Sequence, residues 1–300
     1  MNTASEAQSM RRLTHFVCGC LIVAGFAALY PIQRSIDRAR EAAAGVEDVL
    51  YVPSGGPLRR LSMGYEGLLS NIYWTRVVQY FGRQRLAHDT RFELLGPLLR
   101  VTTELDPNLL IAYRFGAVFL AEKPPGGAGK PEEALQLLRR GIVANPDYWR
   151  FWQDLGFIYY WDLKDYAAAA RAFQVGSERP GAMLWMKAMA ANVAAKGGSL
   201  ETSRSLWLEI YRHADSDSIR GSAIEHLRAL DAQAQMERLN GLLSEFHARK
   251  GRAATSFGEL VRAGLLRSMP RDPSGVMYVI GKDGRAHLSN ESRVDLRLLQ

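Results

Sequence analysis

The side chains able to hold a metal or move a proton are few in this chain, and their spacing suits neither task. Histidines stand at 15, 88, 213, 226, 247 and 287, and cysteines at 18 and 20. Zinc ligands must converge on one ion, which HExxH or paired C-x2-C spacing achieves, and neither pattern occurs. Two cysteines cannot build a four-cysteine centre, and Cys18-Gly19-Cys20 is not the C-x-x-C-H of haem attachment. No GxSxG elbow, P-loop or kinase signature is present. Gly55-Gly56 has no lysine-serine pair or GxGxxG after it with which to cradle a phosphate. His213 and His226 could meet across two helices, although surface or cap positions explain them more simply. Asp272 and His287 are left as the pair on which a rival reading, an enzyme or accessory enzyme subunit, would rest. The expectation is no catalytic residue, no metal, no cofactor and no enzyme.

Binding chemistry is better represented. Residues 147–166 hold Tyr148, Trp149, Phe151, Trp152, Phe157, Tyr159, Tyr160, Trp161 and Tyr166 beside Arg150. Aromatic and arginine side chains dominate interface hot spots, so this cluster serves either packing alone or packing together with a binding surface.

The elements that position it belong to a globular chain. Of 300 residues 47% are hydrophobic and 23% charged, which excludes a wholly disordered protein. The net charge of +7 comes from 38 basic and 31 acidic residues, and the arginines are spread along the chain. They occur as singles or as pairs such as Arg11-Arg12, Arg59-Arg60 and Arg139-Arg140. A nucleic-acid binder concentrates its charge on one face or tail, so a solvated helical surface and no nucleic-acid partner are expected. Pairs near a membrane could still attract acidic lipid head groups.

Residues 13–32, LTHFVCGCLIVAGFAALYPI, carry no Asp, Glu, Lys or Arg. Twenty such residues match a hydrocarbon layer of roughly 30 Å. Arg11 and Arg12 precede the run, Arg34, Arg38 and Arg40 follow it, and Tyr30 suits the interface. A cleaved signal peptide competes, with Gly25-Phe26-Ala27 as a loose processing site, but the apolar run continues to Leu29. An uncleaved transmembrane helix that contacts lipid is therefore expected, with Cys18 and Cys20 as small apolar side chains within it. The flanking arginines do not decide its orientation. A short tail inside and the large domain outside is the usual arrangement, giving a single-pass inner-membrane protein with an extracytoplasmic, periplasmic domain.

From Ser62 onward apolar residues recur at three- and four-residue spacing, the period of packed helices. The clearest unit reads Trp152, Leu155, Gly156 and Tyr159, then Tyr166, Ala169, Phe173 and Gly176, and closes at Pro180. It resembles the tetratricopeptide repeat, W-x2-L-G-x2-Y then A-x3-F then P, with one extra residue in the turn at 162–165. In this reading Gly156 admits the second helix, Ala169 is the small residue opposite it, and Phe173 fills the groove between hairpins. Weaker units surround it. Ala112, Phe115, Gly116 and Phe119 pair with Ala134, Leu138, Gly141 and Pro146 around a lengthened loop at 123–129. Trp74, Val77, Val78 and Phe81 face Leu95, Leu99 and Pro107, while Trp185, Ala188 and Met189 lead to Leu200, Ser203, Trp207 and Ile210. A last helical pair is expected at 219–230 and 233–249. Pro107, Pro146 and Pro180 lie 39 and 34 residues apart, enough units for a continuous stacked core.

The resemblance implies a concave groove lined by the first helix of each unit. Transferred to this sequence, it places Tyr113, Arg150, Gln153, Phe157, Tyr160, Trp161 and Met186 on a surface for a protein partner. The family's lysine-and-asparagine clamp for a C-terminal carboxylate is absent, which argues against binding of chaperone tails.

The flanks differ from the repeats. Residues 33–62 form a neck. Near the C-terminus Ser256 and Glu259 suggest a capping box before a short helix. Residues 276–280 and 285–288 then flank Gly281-Lys282-Asp283-Gly284 as a β-hairpin. The run Pro270-Arg271-Asp272-Pro273-Ser274-Gly275-Val276-Met277-Tyr278 is similar to a C-terminal element of type II secretion pseudopilins, with Ser274 where that family carries tryptophan. The expected organisation is a tail at 1–12, a transmembrane helix at 13–32, a neck at 33–62, a mainly α tetratricopeptide-like solenoid at 63–250, and a small α+β unit at 251–300. The expected function is that of a bacterial membrane-anchored scaffold or adaptor for a protein partner in a membrane complex. A secretion or pilus-type component, or the accessory enzyme subunit, is the alternative.

Overall fold

The computed structural model describes residues 55–299 together with Pro31 and Arg34. The membrane segment expected at 13–32, apart from Pro31, lies outside the described residues, as do Cys18 and Cys20 and most of the neck. Among the described residues no helix is long and apolar enough to cross a membrane.

The described chain is mainly helical. It runs α1 (Gly55–Leu61), α2 (Glu66–Leu86), α3 (Leu95–Leu105), α4 (Leu110–Ala121), α5 (Pro131–Ala144), α6 (Trp149–Ile158), α7 (Tyr166–Ser177), α8 (Trp185–Lys196), α9 (Leu200–Arg212), α10 (Asp217–Lys250) and α11 (Phe257–Arg262). Strands β1 (Val279–Ile280) and β2 (Ala286–His287) and a 3₁₀ turn (Leu296–Leu299) finish it. Helices α2/α3, α4/α5, α6/α7 and α8/α9 pack as consecutive hairpins, and each hairpin packs on the next. Local chemistry sets several boundaries. Pro131 opens α5 with Glu132 and Glu133 in its first turn, where a fixed φ and negative charge suit a helix start. The Asp165 carboxylate accepts the Ala168 N–H at 2.9 Å and caps α7. Gly251, at φ 67°, closes α10 in the left-handed conformation that ends helices.

Close approach between helices depends on glycines, Gly156 and Gly141 among them. A Cβ on Gly156 would stand 2.8 Å from the Phe173 ring, so the α6 backbone lies directly on that ring. Phe173, rather than Ala169, is thus what Gly156 admits, although Ala169 is also fully buried. A Cβ on Gly141 would meet the Tyr113 ring at 2.9 Å and the Phe151 ring at 3.0 Å, which joins the α4/α5 hairpin to α6. The extra residue in the α6–α7 turn is absorbed by a π-helical turn, Tyr159–Leu163. Lys164 follows in the left-handed conformation at φ 56°, and the Asp165 N–H donates to the Tyr159 carbonyl at 3.0 Å. A π turn accommodates one inserted residue without unwinding the helix before it.

Three expectations change. Val77, not Val78, is buried against the partner helix of α2. Phe115 is half exposed instead of joining the packing stripe. The first hairpin meets α4 through α3 and through Trp74 and Phe81, whose rings stack on Phe119 at 6.4 and 3.9 Å. That leaves the side of α4 bearing Ile111, Phe115 and Val118 open. The pair expected at 219–230 and 233–249 is one 34-residue helix, α10, because no glycine or proline interrupts 231–232.

Helix α10 serves two cores. Its first half places Ala223 and Leu230 against Ala190, Val193, Leu206, Trp207 and Ile210. Its second half places Met236, Leu239, Leu243 and Phe246 against Phe257, Leu260, Tyr278 and Ala286. The C-terminal unit is a small antiparallel hairpin with Val279 opposite His287 and Ile280 opposite Ala286. Cutting the chain at 250 would bare the apolar side of α10, so point substitutions probe this unit more cleanly than deletion. At α11 the capping box is rearranged: Ser256 makes no side-chain cap, and Glu259 accepts from Thr255 Oγ1 at 2.6 Å and Arg252 Nη1 at 2.7 Å.

Candidate functional site

Two of the seven expected groove residues are closed inside the fold. Tyr113 is 2% exposed and Met186 is fully buried, so neither presents a surface to a partner. Tyr113 lies over Gly141 and edge-on to Phe151 at 5.4 Å, and burial pushes its hydroxyl pKa up. The Met186 Cε fills the space that Gly176 leaves by lacking a side chain.

The other five lie on α6 and its π turn. The Arg150 guanidinium sits 4.5 Å over the Trp149 ring and 5.8 Å from Tyr148. Gln153 is half buried on the same helix. Phe157 is wedged between Phe173, edge-on at 5.1 Å, and Trp185, stacked at 6.4 Å. Tyr160 packs on Trp161 at 4.8 Å and Tyr166 at 5.4 Å, and its hydroxyl accepts from Lys196 Nζ at 3.0 Å. That bond holds the Lys196 pKa above its ordinary value. Trp161 is 60% exposed, with Lys164 Nζ 5.5 Å from its ring centroid. Phe157, Tyr160 and Trp161 therefore share a ledge with Trp185 and Tyr166. Arg150 stands near the start of α6, about 16 Å from Trp161 at 1.5 Å per residue, but Trp149 beneath it meets Trp185 edge-on at 6.5 Å.

Most of the repeat signature is structural. Leu155, Gly156, Ala169 and Phe173 are buried, and Pro180 is exposed just beyond α7. The Tyr159 hydroxyl accepts from Arg139 Nη2 at 2.8 Å. Trp152 is half buried with Arg179 5.7 Å from its ring, and its indole N–H has no hydrogen-bond partner among the described residues.

Sequence reasoning missed two features. The first is a bidentate ion pair between hairpins, Arg114 Nε to Asp154 Oδ2 at 2.6 Å and Arg114 Nη2 to Asp154 Oδ1 at 3.0 Å. Burial pushes the Asp154 carboxyl up against the pull of Arg114, while the carboxylate raises the guanidinium. Each residue stands two before a repeat glycine, Gly116 or Gly156, and that equivalence was the available signal. The second is the open apolar stripe of Ile111, Phe115 and Val118 on α4, with Leu184 and Trp185 likewise exposed at the start of α8. Hydrophobic periodicity marks apolar faces but not which of them a neighbour covers.

The C-terminal pair of the enzyme reading is split between different partners. Asp272 is 5% exposed. Its Oδ1 accepts the Ser274 and Val276 N–H groups at 2.8 and 3.0 Å and the Ser274 hydroxyl at 2.7 Å, while Oδ2 accepts from the Ser292 hydroxyl. Burial raises this carboxyl, but the donors together outweigh it and hold the pKa below the usual carboxylate value. His287 Nε2 instead contacts the Asp283 carboxylate at 3.0 Å, exposed on the hairpin turn. His213 and His226 are also separately engaged, through Nδ1 with the carbonyls of Glu209 and Ser222. Among the described residues no group of three or more His, Cys, Asp or Glu could hold a metal ion.

Asp272 gives a pH prediction with a definite sign. A carboxyl whose folded pKa is depressed stabilises the fold above its unfolded pKa of about 3.8 and loses that contribution as pH falls through the lower folded value. Acidification from pH 5 to pH 2 should therefore loosen the C-terminal hairpin, read by near-ultraviolet circular dichroism of Tyr278. Asp272→Ala should cost roughly 2–3 kcal/mol at neutral pH, since several bonds to one charged group are lost together. Asp272→Asn should recover part of that loss, and wild-type stability in the alanine variant would deny Asp272 this role.

Comparison with known proteins gives no match to a protein family, a curated protein or a solved structure.

Proposed function

We propose that the chain is a membrane-anchored scaffold of the tetratricopeptide kind, whose stacked hairpins bind a protein partner and support a membrane-associated complex. The observation that carries this reading is that large apolar side chains stay uncovered on or beside the first helices of successive hairpins. Phe115 and Val118 on α4, Trp161 beyond α6, and Met183 and Trp185 at α8 are each at least 41% exposed. Burial of such side chains, with the Arg150–Trp149 pair beside them, is how interface energy is concentrated in a few residues. Helical hairpins packed in sequence present a continuous surface for this purpose. In this reading residues 13–32 hold the solenoid at the bilayer on its extracytoplasmic side, and tethering raises the local concentration of the partner.

Phe115 and Trp161 are the residues to test, because truncating them removes exposed ring area while leaving the core intact. Tyr160 is less suitable, being packed edge-on against Tyr166 and bonded to Lys196. Native extraction of the tagged full chain in mild detergent, followed by mass spectrometry, should recover a stoichiometric partner. A Phe115→Ser/Trp161→Ala variant of unchanged thermal stability should recover about tenfold less of it, the loss expected when hot-spot residues are truncated. Equal recovery would refute the assignment of this surface.

A further inference from the structure

A cluster of strongly exposed large apolar side chains lies at the start of the described fold. Leu61, Met63, Tyr65 and Leu68 are 74%, 88%, 67% and 59% exposed around the turn between α1 and α2. The Tyr65 N–H donates to the Ser62 carbonyl at 2.9 Å, and Met63 and Gly64 between them both have positive φ, 51° and 96°. Glycine adopts that region freely, whereas a methionine held there is uncommon, and the tight turn thrusts Met63 outward. Tyr65, Leu68 and Ile72 continue the apolar surface along one side of α2, opposite the inward Ser70, Tyr73, Val77 and Phe81.

Charge near this tip is mostly basic. Residues 55–76 contain Arg59, Arg60 and Arg76 against a single acid, Glu66. Arg59 and Arg60 are exposed one turn before the tip. Arg76 lies one turn beyond Ile72, its guanidinium 5.3 Å from the Tyr73 ring. An apolar tip with a tyrosine and a collar of arginines matches the interface of an anionic bilayer, where apolar groups enter the acyl boundary and guanidinium groups reach the phosphates. A narrow convex turn offers little area to a protein partner.

We infer that the α1–α2 turn, residues 59–72, is a second membrane-contact site that inserts Leu61, Met63, Tyr65 and Leu68 into the head-group region of an anionic bilayer. The inference rests on the membrane attachment proposed above. With the solenoid held through both residues 13–32 and this turn, its orientation relative to the lipid surface is restricted more than by a single attachment.

The test uses the full chain with Cys18→Ser and Cys20→Ser and one cysteine, Met63→Cys or Val143→Cys, labelled with an environment-sensitive fluorophore. Val143 is 84% exposed on α5 and serves as the reference. In vesicles of phosphatidylcholine and phosphatidylglycerol, the label at 63 should shift to the blue and be quenched by shallow nitroxide lipids about threefold more than the label at 143. Phosphatidylcholine alone, or the Arg59→Gln/Arg60→Gln variant, should weaken that difference. A chain that sediments with vesicles while the label at 63 stays open to aqueous iodide would overturn this site and leave the anchor standing. A label shielded from iodide but untouched by the nitroxides would mean that protein covers the tip, and would also overturn it. A chain that does not sediment with vesicles would refute both the anchor and the site.

Discussion

Phe173→Ala should lower the unfolding free energy by about 3–5 kcal/mol, the largest loss expected from a single substitution here. The ring is fully buried, lies against the bare backbone of Gly156 and meets Phe157 edge-on at 5.1 Å. Truncation removes the transfer free energy of the ring and leaves a cavity. Relaxation into that cavity is limited, because Gly156 has no side chain to move into it. Phe173→Leu should cost less, on the order of 1–1.5 kcal/mol, because most of the volume is kept. The reciprocal substitution, Gly156→Ala, forces a methyl to within 2.8 Å of the same ring and should cost roughly 1–3 kcal/mol by overpacking. Urea unfolding of the three variants, followed by helical circular dichroism, measures the series. A loss below about 1 kcal/mol for Phe173→Ala would mean that α6 and α7 do not meet through this ring.

The second large effect is expected where the α4/α5 hairpin joins the next. Asp154→Ala should cost about 2–3 kcal/mol, because it strands the Arg114 guanidinium in a half-buried position without its bidentate acceptor. A fully buried pair would cost more. Arg114 keeps 30% of its side-chain surface in water, and solvent softens the loss. Arg114→Leu/Asp154→Leu should recover most of the stability, since two apolar side chains of similar size need no mutual charge compensation. A double-mutant cycle isolates the coupling between the two groups. If the double variant is no more stable than Asp154→Ala, the site depends on the ion pair itself and not on filling the space.

Much of the helical plan could be read in advance because its signals are local. The stretch from Trp152 to Tyr159 and the Asp-Gly turn at 283–284 each act within a few residues. The extra residue between Tyr159 and Ala169 was countable from the sequence, but its absorption in a π turn followed by a left-handed Lys164 was not. The expected groove was the least legible part. Tyr113 and Met186 occupy positions that line a groove in the family pattern, yet here they fill the gaps beside Gly141 and Gly176. Phe115 occupies a packing position and stands half exposed because α2 does not cover that side of α4.

By itself, the sequence determined the mainly helical character, the hairpin boundaries, the glycines at close approaches and the two-stranded ending. All of these follow from backbone propensity, capping and the period of apolar residues. Tertiary structure alone decided three things: the fusion of 219–249 into one helix serving two cores, the pairing of Arg114 with Asp154, and the choice of which apolar faces stay open. The physical reason is that burial belongs to pairs of surfaces. Periodicity reports the face a helix could bury, while the neighbour's position, set by side chains distant in the sequence, decides whether that face is covered.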